Sequence, residues 1–137
     1  MTIDLEAVRR AFGKDRFAAV NGIELLDLRP GFATARMKIE DRHLNSVGTV
    51  QGGAIFTLAD FAFAVACNTA GRVAVAVNMN LSCLKAVRSG MLQAEATEIS
   101  RSNRLSVCMV RVTNEAGELA ALFQGTAYIK DAPFPLA

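Results

Sequence analysis

The sequence is short of the residues from which metal centres, redox pairs and disulfide frameworks are built. It has one histidine, His43, and three cysteines, Cys67, Cys83 and Cys108, in 137 residues. No two cysteines form a CxxC pair, so zinc-knuckle and dithiol chemistry have no support. Each thiol lies in an apolar stretch and is expected to pack as a small hydrophobe in a reducing compartment. No metal and no resident cofactor is expected. An excess of one charge is also missing: fifteen basic residues nearly balance thirteen acidic ones. Without a basic block, no nucleic-acid partner is expected. The N-terminal MTIDLEAVRR carries acidic residues and no long apolar core, unlike a secretory signal. The longest apolar run, near residues 54–67, is broken by Asp60 and is too short for a membrane span. These absences point to a cytoplasmic protein with no membrane partner. Phosphate-binding loops and dinucleotide fingerprints are absent, because their glycine spacings do not occur.

What is present is apolar. The hydrophobic fraction is 52% and the mean hydropathy is +0.28. A large subunit interface or an alanine-rich core would each produce such values. Residues 1–137 read as one domain, with no linker or repeat, long enough to bury a core without disulfide or metal staples.

Periodicity assigns the elements. Residues 3–12 place Ile3, Leu5, Val8, Ala11 and Phe12 on one helical face, and Gly13 ends that helix. Phe17 to Val20 lead into an Asn21-Gly22 turn. Residues 23–29 read as a strand whose alternation slips at Leu25-Leu26, the mark of a bulge. Residues 32–40 alternate cleanly, with Ala33, Ala35, Met37 and Ile39 on one side. Residues 41–51 form a long polar connection. From Ala54 to Ala66 the chain is apolar on every helical face, which predicts a helix buried all round and ended by Gly71. Its Phe56, Phe61 and Phe63 are most simply core. Four more strands follow, at 73–84, 91–100, 105–113 and 118–130. In the first, Val73, Val75, Val77, Met79 and Leu81 share a side. One apolar helix and five to six antiparallel strands make an α+β architecture, a curved sheet holding the helix on its concave face.

Two features of this helix point to chemistry. Asp60 is a carboxylate amid apolar residues, where a charge needs a partner or a task. A hydrogen bond from Thr57 would make it merely structural. Gly52-Gly53 stands where the helix should begin. There the first N–H groups lack internal partners, and glycine lets a ligand oxygen approach. A carbonyl oxygen gaining charge during acyl transfer would be stabilised at that position. A plain glycine turn reads equally well from these two residues alone. Gly52 and Asp60 are eight positions apart, roughly 12 Å along a helix axis. A single reacting group cannot easily touch both in one chain, and two antiparallel copies with shared sites would resolve this.

The run HLNSVGTVQGGAIFTLADFAFAVACN resembles the hotdog-fold thioesterases of the phenylacetate-degradation type. The matching residues are His43, Asn45, Gly48, Gln51, Gly52, Gly53, Leu58 and Asp60. The resemblance implies a hotdog fold that hydrolyses acyl- or aryl-coenzyme A esters without a metal. Coenzyme A enters only as part of the substrate. It implies a homodimer with sites at the subunit interface, often paired into a homotetramer. Asp60 would be the catalytic carboxylate, the Gly52 N–H would polarise the thioester carbonyl, and Asn45 would position water, carboxylate or loop. Gln51, Gly53, His43 and Phe56 would line the substrate, although a lone histidine on a loop such as His43 is more often structural. Lys85 and Arg88, with Arg101 and Arg104 as further candidates, would meet the coenzyme phosphates. One departure stands out: Gln51 replaces the usual histidine and cannot titrate. A non-catalytic acyl-coenzyme A or aryl-acid binding module of the same fold is the alternative. So is a scaffold in which Asp60 only specifies assembly. A dehydratase reading is disfavoured, because no histidine follows Asp60 by four or five residues.

Overall fold

A computed structural model describes residues 3–135. Two short helices come first, α1 (Leu5–Phe12) and α2 (Arg16–Val20). Each starts at an aspartate. Asp4 accepts hydrogen bonds from the N–H groups of Glu6 and Ala7, and Asp15 from that of Ala18, satisfying donors the helix itself cannot. The hairpin β1 (Ile23–Arg29) and β2 (Phe32–Lys38) follows, then a 3₁₀ turn at Asp41–His43 and the long helix α3 (Gly52–Cys67). Strands β3 (Arg72–Cys83), β4 (Met91–Arg101), β5 (Leu105–Thr113) and β6 (Leu119–Pro133) complete the chain. All six strands form one antiparallel sheet in the order β1-β2-β4-β5-β6-β3.

The sheet wraps α3, as its residues require. The floor beneath the helix is small: Ala33 faces Ala96 and Ala35 faces Ala94 across β2 and β4, all fully buried. Alanines let the helix backbone come close, and larger groups fill the flanks. Phe63 lies on β6 at Gly125, where an added Cβ would sit 2.7 Å from the ring; only glycine leaves that space. Phe123 packs against both Phe63 and Phe56, with centroids 5.7 and 5.4 Å apart. Each such buried ring stabilises the fold by about 1.5–3 kcal/mol. No helix among the described residues is long and apolar enough to cross a membrane.

Several elements depart from the pattern reading. The lead-in at Phe17–Val20 is a helix, because Asp15 caps it. Helix α3 starts at Gly52 and ends at Cys67, four residues before Gly71. Asn68 stops it by donating to the Ala64 and Ala74 carbonyls and accepting from the Ala74 N–H. The helix is also not buried all round. Gly53, Thr57, Asp60 and Ala64 form a stripe that the sheet leaves partly uncovered. In β3 the valine side is not a core side. Ala74 is buried, whereas Val75 is 39% and Val77 61% exposed, since β3 is an edge strand with two register shifts. Cys67 and Cys108 pack as hydrophobes, but Cys83 is exposed. The slip in β1 is a true irregularity between Leu25 and Leu28, and β6 runs on to Pro133.

Candidate active site

The loop before α3 is built around Asn45. Its Oδ1 accepts from the N–H groups of Val47 and Thr49, and its Nδ2 donates to Thr49 Oγ1 at 2.9 Å. These bonds fold residues 45–49 on themselves, as asparagine does in tight turns. A bridge between Leu44 and Val50 closes the base. The Val50 N–H then donates to the Val87 carbonyl, and the Gln51 N–H to the His43 carbonyl, each at 2.8 Å. Both flanks of the helix start are therefore pinned.

His43 is buried and both its ring nitrogens are committed. Nδ1 accepts from the Glu40 N–H at 3.0 Å, and Nε2 lies 3.1 Å from the Asn21 carbonyl. That pairing fixes the neutral tautomer carrying its proton on Nε2. The ring has no nitrogen left for a substrate; it ties the loop to the end of α2.

At the helix start the two glycines differ. Gln51 caps α3 with its own side chain, Oε1 accepting from the Gly53 N–H. The Gly52 N–H has no acceptor within hydrogen-bonding distance among the described residues. It opens toward a cavity of about 340 Å³ lined by Asn45, Thr49, Ile55, Cys83, Lys85 and Val87. An unpaired donor at a helix N-terminus, reinforced by the dipole, suits an oxygen that gains negative charge. On the other side of the glycines a depression of about 480 Å³ lies between α2 and α3, walled by Phe17, Asn21, Leu44, Ala54 and Thr57.

Asp60 lies about two turns further along the uncovered stripe. No hydrogen bond reaches its carboxylate among the described residues. Thr57, the expected structural partner, donates instead to the Gly53 carbonyl at 2.7 Å. Burial, and secondarily the charge of Asp15, push the Asp60 carboxyl above its ordinary value of 3.8, since both disfavour the charged form. The described residues thus include a donor without an acceptor and a carboxylate without a donor. It does not bring them together.

The other sequence candidates separate by position. Phe56 is half-buried against Phe123, while Phe61 and Phe63 belong to the core. Lys85 and Arg88 lie at the Gly52 end. Lys85 pairs with Glu118 at 2.7 Å, and Arg88 reaches the Val47 carbonyl at 3.4 Å. Arg101 lies at the opposite end, on Glu98 and the Cys67 carbonyl, and Arg104 is paired with Asp131. A 16-residue helix puts Arg101 roughly 24 Å from Gly52, so it is no partner of that end. Sequence reading passed over Cys83, whose sulfur would lie 3.9 Å from a Cβ at Gly52. It also passed over Phe17 and Asn21, for which the Asp15 cap was the one available signal.

Residues 47–121 match the family model of the thioesterase superfamily. The chain belongs to that superfamily. The matched span holds Gly52, Asp60, Lys85 and Arg88 and leaves out His43 and Asn45. This thioesterase-superfamily chain is 31% identical to acyl-coenzyme A thioesterase PaaI of Escherichia coli (strain K12), over 85% of its own length and 84% of that protein's. It is 33% identical to Homo sapiens acyl-coenzyme A thioesterase 13, with 94% and 96% covered. The solved E. coli PaaI protein from the phenylacetic acid degradation operon superposes with a TM-score of 0.89 at 28% identity, covering 93% of this chain and 94% of that one. A structure from Thermus thermophilus gives 0.80 at 37% identity, with 84% and 97% covered. The helix wrapped by six antiparallel strands is therefore a hotdog fold, as the motif implied, and thioester hydrolysis is the chemistry to which these relatives point.

Proposed function

We propose that the protein hydrolyses acyl- or aryl-coenzyme A thioesters at sites shared between two copies of the chain. One observation carries the reading. Among the described residues the Gly52 N–H and the Asp60 carboxylate each lack a partner, and they lie on one helix roughly 12 Å apart. Two copies with their α3 stripes facing and antiparallel would set Gly52 beside the partner subunit's Asp60, twice. The open edge of β3, with Val75 and Val77 exposed, offers such a pair a surface. An edge of this length is seldom left bare.

In this site the thioester carbonyl oxygen accepts from the Gly52 N–H, which stabilises the charge that builds as the carbon becomes tetrahedral. The partner subunit's Asp60 then acts in one of two ways. Its oxygen attacks the carbonyl carbon, the C–S bond breaks, the coenzyme leaves as a thiolate, and water opens the mixed anhydride to the acid. Alternatively it takes a proton from an attacking water and passes it to the leaving thiolate. Asn45 acts by holding the loop. Lys85, in the wall of the 340 Å³ cavity, and Arg88, on the Val47 carbonyl of the neighbouring loop, face the coenzyme's phosphates. Gln51 keeps the helix capped and leaves Gly52 as the open donor.

The test is thiol release from a panel of short, medium and aryl thioesters by wild type and Asp60→Asn. Turnover by wild type with a loss of about a hundredfold or more in the variant is expected. Wild-type binding without turnover, unchanged by the substitution, would establish a binding module instead.

A further inference from the structure

The depression between α2 and α3 plays no part in the steps above, yet it opens beside Gly53 on the uncovered stripe that carries Asp60. Its outer wall is Phe17, 66% exposed although aromatic, with Val20 on the same short helix 64% exposed. Leu44 and Ala54 share the remaining walls with five polar side chains, among them Asn21, Arg42 and Thr57. At about 480 Å³ the space falls in the range that small ligand groups fill, and its apolar side, Phe17, Leu44 and Ala54, faces polar groups able to orient a ligand.

The helix that presents Phe17 is held rigidly for so short an element. Asp15 caps its start, and Ala18 is buried beneath it. At its end the Asn21 side chain donates to the Phe17 carbonyl at 3.0 Å, Arg42 donates to the Val20 carbonyl, and His43 Nε2 donates to the Asn21 carbonyl. Three side-chain bonds thus fix the backbone beneath two exposed apolar residues. We infer that Phe17 is a specificity-determining residue whose ring closes one side of the acyl-group pocket, and that Arg42 and His43 are the positioning residues holding it there. This rests on the thioesterase reading for the location of the reacting carbonyl, beside Gly52. The pocket then receives the part of the acyl group beyond that carbonyl. Short acyl groups do not reach the ring, while longer or bulkier ones pack on it.

The experiment is calorimetric binding of two non-hydrolysable thioether analogues, of acetyl- and octanoyl-coenzyme A, to wild type, Phe17→Ala and Phe17→Leu. Wild type should prefer the octanoyl analogue. Phe17→Ala should shrink that preference about tenfold, the scale at which small changes in a hydrophobic pocket discriminate, and Phe17→Leu should fall between. His43→Gln should shrink it in the same direction. An unchanged preference ratio in Phe17→Ala overturns the inference. So does an equal loss for both analogues with a changed molecular mass in light scattering, which would assign Phe17 to the contact between copies. Binding of the expected kind, without thiol release from the true thioesters, would retain the pocket and defeat the catalytic reading. Failure of either analogue to bind defeats both.

Discussion

Gly52 occupies the first position of α3, where proline is tolerated because the N–H has no helical partner to lose. The preceding Gln51 already has extended backbone angles, φ −65° and ψ 136°, which suit the residue before a proline. An added Cβ would meet only Cys83 sulfur, at 3.9 Å. Gly52→Pro therefore deletes one hydrogen atom that matters and little else. Its kcat should fall about a hundredfold below that of Gly52→Ala, the scale of losing one oxyanion donor, with melting temperatures close together. Equal rates in the two variants would remove the Gly52 N–H from the mechanism. Asp60 makes a second prediction, with a defined sign. Its carboxyl binds a proton more readily in the folded chain than in the unfolded one. The resulting penalty on stability is absent below pH 3.8, develops as pH rises through the folded value, and is complete above it. Asp60→Asn should melt higher than wild type at pH 7 and lose that advantage in acid. The acidic limb of the wild-type rate profile should lie above the ordinary carboxylate range, because either route needs the carboxylate ionised. A lower melting temperature for the variant at pH 7 would show that Asp60 has a stabilising partner in the assembled protein.

At the scale of elements, β3 and α3 belong together. Both present apolar or small residues on a side that the chain does not cover, β3 through Val75 and Val77 and α3 through Gly53 and Ala64. A lysine on a strand edge opposes pairing with another strand. Val77→Lys should shift the molecular mass in light scattering toward the monomer and abolish turnover with it, while far-ultraviolet circular dichroism is retained. A monomer with full turnover would refute shared sites. The motif around His43 and Asn45 was legible because its spacing is distinctive, but what those side chains touch was not. Nothing in the order of residues says that the His43 ring is spent on the backbone at Glu40 and Asn21, since Asn21 lies 22 positions away. Helix α2 was missed for a related reason. Five residues are too few for a periodic signal, and only the capping aspartate marks the start.

At the scale of the whole molecule, sharing of sites can be tested without knowing the interface. On the proposed shared sites, an Asp60→Asn chain and a Gly52→Pro chain should each lose about a hundredfold by itself. A mixed dimer regains one intact site, built from Gly52 of the first and Asp60 of the second. Random assortment makes about half of the dimers mixed, so co-refolded protein should recover roughly a quarter of wild-type turnover. Recovery of none would place both groups in one chain's site. The order of the strands and the long helix, the inward alternation of β2 and the apolar helix with its single carboxylate were determined by sequence, because periods of two and of 3.6 residues are local properties of the chain. Which helical face lies open, which strand is the edge, and which of the two glycines keeps its N–H free were decided only by the tertiary structure. Each depends on where residues far apart in sequence meet: the sheet curling under α3, β6 taking β3 to its outer side, and the Gln51 side chain turning back onto Gly53.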